Sequence, residues 1–133
     1  MRFVALLATC IVGLSHAQVF KPYPTAHVTG AQWQAYLDEV KAKHGATMRE
    51  PPGLRIIFQD EPNASTYVFT QPGNNAHPAW TTRKLEMREG GIYLGRIGYF
   101  AGDEASFAKW YREYVALDEQ FKAHMAEKNR GKR

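Results

Sequence analysis

AWTTRKLEMREGGIYLGRIGYF, residues 79–100, is the stretch that decides the fold. Gly90-Gly91 stands between Ala79 to Glu89 and Ile92 to Phe100, and paired glycines supply the positive φ angles of a tight hairpin turn. In the first run Ala79, Thr81, Leu85 and Met87 share one face, with Trp80, Thr82, Lys84, Glu86 and Arg88 on the other. Gly95 and Gly98 interrupt the second run. Positions without side chains inside a strand mark a bulge, a bend or the close approach of another element.

Two further strands precede this hairpin. Glu50-Pro51-Pro52-Gly53 breaks the chain before Leu54 to Gln59, where Leu54, Ile56 and Phe58 alternate onto one face. Asp60 to Ser65 is turn-forming, and Thr66 to Thr70 follows with aromatic residues at alternate positions. Helices flank the strands. Thr29 and Gln32 have the spacing of a capping box, after which Trp33, Tyr36, Leu37, Val40 and His44 form one stripe of 3.6-residue period, ended by Gly45. Asp103 is placed to cap a second helix with Glu104 in its first turn, and Phe107, Trp110, Tyr111, Tyr114, Leu117, Phe121 and Met125 continue at helical spacing. The expected fold is α+β in the order αββββα. A four-stranded antiparallel meander packs with an N-terminal and a long C-terminal helix, laying one face on them. In element order alone, a helix followed by a four-stranded meander resembles cystatin-like and nuclear-transport-factor-like architectures. That resemblance implies a pocket protein for a small ligand, although neither family's sequence motif is present.

Met1 to Ala17 reads as a cleaved export signal: Arg2, an apolar run from Phe3 to Leu14, then Ser15-His16-Ala17 with small residues three and one before the cut. The apolar run would be about 18 Å long as a helix, too short for a hydrocarbon core of about 30 Å. No stable membrane span is expected. The single cysteine, Cys10, lies inside this leader and is a poor lipidation site after Thr9, so the body must be held by packing rather than disulfides. Removing the leader takes one of 17 basic residues and none of 13 acidic ones, leaving +3. Such a charge is far from a nucleic-acid binder's field, so no nucleic-acid partner is expected. The predicted organisation is a leader at 1–17, an extended segment at 18–28, a single domain at 29–127 and a basic flexible tail at 128–133.

The densest functional candidate is the loop from Gln71 to Pro78 with Trp80 beside it. His77 would act as a general base near neutral pH, with Asn74 or Asn75 orienting a substrate, although the same residues are ordinary loop chemistry. A second candidate is an aromatic face of Trp80, Tyr93 and Tyr99 with Arg96, suited to a sugar, a peptide or a partner protein. The body's histidines, at 27, 44, 77 and 124, include no His-x-x-x-His pair, so neither a metal nor a cofactor is expected. Ser65 and Ser106 lie in no nucleophile elbow. Asn63-Ala64-Ser65 matches a glycosylation acceptor.

The favoured expectation is a small non-enzymatic envelope protein, periplasmic or secreted, binding a macromolecular partner, with inhibitor or immunity-type proteins as one version. The competing expectation is a pocket protein for a small ligand, or a minor hydrolase using His77. A third is an assembly role with the long helix as an oligomer interface. A cavity beneath the loop from Gln71 to Pro78, and the direction of Trp80, Tyr93 and Tyr99, separate the first two.

Overall fold

The computed structural model describes residues 20–131, so the expected leader, its cleavage site and Cys10 lie outside the described residues. The chain runs through α1 (Gly30–His44), a short 3-10 turn (Gly45–Thr47), β1 (Arg55–Asp60), β2 (Ser65–Thr70), β3 (Ala79–Arg88), β4 (Gly91–Phe100) and α2 (Glu104–Arg130). The four strands form one antiparallel sheet in the order β1-β2-β3-β4, which gives the expected αββββα, α+β fold.

The hairpin forms with its turn shifted by one residue. Arg88 pairs with Gly91, so the two turn residues are Glu89 and Gly90, and Gly90 takes the positive φ of 96°. The capping box of α1 closes in both directions: Gln32 N donates to Thr29 Oγ1 (3.0 Å) and Thr29 N to Gln32 Oε1 (2.9 Å). At α2, Ser106 N donates to Asp103 Oδ2 at 2.9 Å, relieving an orphan amide of the first turn.

The helices lie on opposite faces of the sheet, not on one. Trp33, Tyr36 and Val40 of α1 pack with Phe58, Tyr67, Phe69, Trp80 and Tyr99. Phe107 of α2 packs with Ala76, Ala79 and Phe100, and Tyr114 with Ile57 and Val68. Adjacent strand residues point to opposite faces, so Ile56-Ile57-Phe58 and Tyr67-Val68-Phe69 must be covered on both sides. Unbroken apolar runs, rather than strict alternation, were the signal for two-sided cover.

The segments at either end of the described residues are more ordered than expected. Within the segment read as extended and non-globular, Val28 is buried and Tyr23 packs against Tyr36, Trp80 and Tyr99. Val28 N donates to Phe100 O and Phe100 N to Ala26 O, both at 2.9 Å, so this segment pairs with the last residue of β4 on its outer edge. At the other end α2 continues to Arg130, making Lys128 to Arg130 helical where a flexible tail was expected.

α2 has 27 residues and extends about 40 Å at ~1.5 Å per residue, longer than the sheet it crosses. Accordingly Phe107, Tyr114 and Asp118 are buried, Phe121 and Met125 only half-buried, and Leu117 is exposed. The glycines of β4 mark close approaches. A Cβ on Gly98 would lie 2.7 Å from ring atoms of Phe107 and Tyr111, and one on Gly95 3.3 Å from the Phe20 ring. Gly98→Ala is therefore expected to destabilise the protein by about 1–3 kcal/mol, as an overpacked core does. Urea unfolding measures it, with a midpoint equal to wild type as the contrary result.

Candidate functional site

The chain between β1 and its preceding turn is clasped to the loop after β2. Gln71 N donates to Leu54 O at 2.8 Å, and Asn74 Nδ2 reaches the carbonyl oxygens of Gly53 and Leu54, both at 3.3 Å. Asn74 Oδ1 accepts from Ala76 N at 2.9 Å, folding the loop back on itself in the manner of an Asx turn. Gly73, at φ 97°, is packed so closely that a Cβ would meet Leu54 Cδ1 at 3.1 Å.

Beside this clasp opens a cleft of about 600 Å³. One wall is the clasped pair of turns, and the other is the N-terminal half of α2 with Ser106, Lys109, Trp110, Glu113 and Tyr114. Arg55 Nη1 donates to the Tyr114 hydroxyl at 2.8 Å, joining sheet to helix at the inner end. Trp110 meets Tyr114 edge to face at 5.0 Å between centroids. Asn75, Lys109 and Glu113 are exposed at this cleft, and their side chains make no hydrogen bond or ion pair among the described residues. The result is a polar rim with two rings on the floor, a composition suited to recognition.

His77, although in the predicted loop, does not line the cleft. Its Nδ1 is hydrogen-bonded to Thr70 Oγ1 at 2.9 Å, and its ring meets Trp33 edge to face at 4.9 Å. Thr70 Oγ1 also accepts from Ala79 N at 2.9 Å, so the imidazole belongs to a bonded corner where the loop enters β3. Burial pushes the His77 pKa below its ordinary value, only partly opposed by a hydrogen bond to the Thr70 backbone. Of the three residues read as catalytic, Asn74 serves as the clasp, Asn75 projects at the rim, and His77 faces away.

Trp80, Tyr93, Arg96 and Tyr99 do not form one surface. Trp80 and Tyr99 are a cross-strand pair, stacked at 4.6 Å and buried beneath α1. Tyr93 lies near the hairpin tip, exposed, with the Arg88 guanidinium 5.0 Å from its ring. Arg96 belongs to the α2 face, where Nε and Nη2 bind the two carboxylate oxygens of Asp118 at 2.5 and 2.9 Å. Its Nη1 donates to Thr81 Oγ1 at 3.0 Å, and Tyr111 donates to its carbonyl oxygen at 3.1 Å. Strand parity separates Arg96 from Trp80 and Tyr99, and distance along β4 separates Tyr93 from both.

The cleft's helical wall is polar and lies beside the apolar stripe of α2, so hydrophobic periodicity does not mark it. Ser106, Lys109 and Glu113 recur at three- and four-residue spacing beside that stripe, which would have placed them on one strip of α2. Among the described residues no group of three or more His, Cys, Asp or Glu is placed to hold a metal ion, and no helix is long and apolar enough to cross a membrane. Comparison of the chain with protein-family models, curated proteins and solved structures returns no match.

Because the folded-state pKa of His77 is lowered, the unfolded chain takes up its proton first as pH falls through the ordinary histidine range, so stability falls as pH drops through that window. Between about pH 7 and pH 5 the thermal midpoint of wild type is expected to fall more than that of His77→Gln. Parallel pH-dependent melts check this, and identical slopes would contradict it.

Proposed function

We propose that this is a small exported protein of the cell envelope, non-enzymatic, that recognises a macromolecular partner through the cleft between the Asn74 clasp and α2. The leader-like pattern of Met1 to Ala17 supports export. The carrying observation for recognition is the cleft itself, with its hydrogen-bonded loop wall, its Trp110 and Tyr114 rings, and exposed Asn75, Lys109 and Glu113 at the rim. Rings over which a partner side chain can lie, surrounded by adaptable polar groups, are the usual anatomy of a binding hot spot. Lys109 and Glu113 offer opposite charges one helical turn apart, matching a partner segment that presents a charged pair or a polar backbone. An inhibitor or immunity-type role is one concrete form of this activity.

His77 supports catalysis less well. Its Nδ1 is engaged by Thr70, and it does not line the cleft.

The test is capture from envelope extract by immobilised protein, followed by titration of any stoichiometric partner. Lys109→Glu combined with Asn75→Arg, both at exposed positions, should weaken that partner at least tenfold, about 1.4 kcal/mol, while Lys128→Glu at the far end of α2 leaves it unchanged. Equal binding by the cleft variant would move the interface elsewhere, and failure to recover any stoichiometric partner would count against the proposal as a whole.

A further inference from the structure

Across the α2 face of the sheet runs one row of paired residues, Gln59, Thr66, Arg83 and Arg96, one from each strand. Arg83 and Arg96 are direct cross-strand partners, and like charges placed opposite each other in a sheet repel. One of the two is compensated. Arg96 is clasped by both oxygens of Asp118, whereas Arg83 has no carboxylate partner among the described residues. The Arg83 Nε is buried with no hydrogen-bond partner among them, its guanidinium carbon lying 5.6 Å from the Phe121 ring centroid. A ring face attracts the cation but accepts no N–H in the geometry of a carboxylate or phosphate oxygen.

These residues surround a second concavity of about 220 Å³, with Arg49 at its rim and Ile57, Val68 and Leu117 among its apolar walls. Tyr114 is shared with the larger cleft, so the two hollows lie along the same helix. Arg49 enters through the bridge that pairs it with Ile57 at the edge of β1, and its side chain has no acidic partner among the described residues. Three guanidiniums therefore face one carboxylate, an excess of two positive charges beside partly apolar walls. Such surroundings strengthen charge-assisted hydrogen bonds, and the fork of a guanidinium matches the paired oxygens of an oxyanion.

We propose that this pocket binds a small oxyanion, the phosphate or carboxylate group of a compact ligand, with Arg83 as the principal donor and Arg49 closing over it from the rim. Gln59 and Thr66 complete the polar wall, although they are hydrogen-bonded to each other at 3.2 Å and would turn toward the anion only by giving up that bond. Arg96 remains with Asp118 and contributes its field rather than a direct bond.

The experiment titrates the full protein with inorganic phosphate and, in a separate arm, with acetate, at constant ionic strength. Calorimetry reads both arms and the phosphorus-31 line width reads the first. Saturable binding of one anion, weakened at least about tenfold in Arg83→Gln and also weakened in Arg49→Gln, with Lys128→Gln unchanged, is the expected result. The arm that responds identifies the group as phosphate or carboxylate. Arg83→Gln removes a repelling charge and is expected to fold, while Arg49→Gln changes an exposed side chain and leaves the backbone bridge to Ile57 in place. Absence of saturable binding in both arms would overturn the proposal, as would equal affinity in wild type and both arginine variants.

Discussion

The ion pair of Arg96 with Asp118, set next to the bare backbone of Gly98, governs how α2 lies on the sheet. Both side chains are about nine-tenths buried, and such a pair is tolerable only when its remaining hydrogen-bonding capacity is used. Here it is used: the carboxylate accepts twice, Thr81 takes the third guanidinium nitrogen, and Tyr111 spans from α2 to the Arg96 carbonyl. Loss of one partner from a buried pair generally costs about 3–5 kcal/mol, because the other charge is left stranded. The pair thus fixes the position of the helix along β4, and Gly98 allows the rings of Phe107 and Tyr111 to approach the strand.

From that docking follow the two hollows on this side of the molecule. α2 meets the sheet through a line of large side chains, and Tyr114, bonded to Arg55 and lying 5.2 Å from Arg96, closes the seam midway. The clasped turns and the helix flank the larger cleft, and the arginine row lines the other hollow. The opposite face has a different character. Trp80, Tyr36, Phe58 and Phe69 are there almost wholly removed from water, and burial and ring contacts among them supply cohesion without disulfide support.

Local signals in the sequence were dependable where the physics is local. The Thr29–Gln32 box, the Asp103 cap and the hairpin all need only a few neighbouring residues, and all are present. The glycines at 95 and 98 were legible as a bulge, a bend or a close approach, and only the packed structure shows that rings approach both. Facing was harder. Whether a helix covers one side of a sheet or the other depends on pairing register, which is non-local, and so Trp80 and Tyr99 were read with Arg96 although strand parity divides them. Arg96 was singled out as a binding residue because the sequence could not show that Asp118, 22 positions later, would claim it. The loop from Gln71 to Pro78 did mark the neighbourhood of a cavity, yet the polar wall contributed by α2 emerged only when helix and loop were brought together.

The most direct test of this arrangement is nuclear magnetic resonance of the labelled protein, reading the α-protons of Gly98. If α2 is seated on the sheet as described, those protons show strong Overhauser contacts to the ring protons of Phe107 and Tyr111 and are displaced from coil values by ring currents. Coil-like shifts at Gly98 with no contact to either ring would contradict the docking of α2, and with it both hollows that the docking creates.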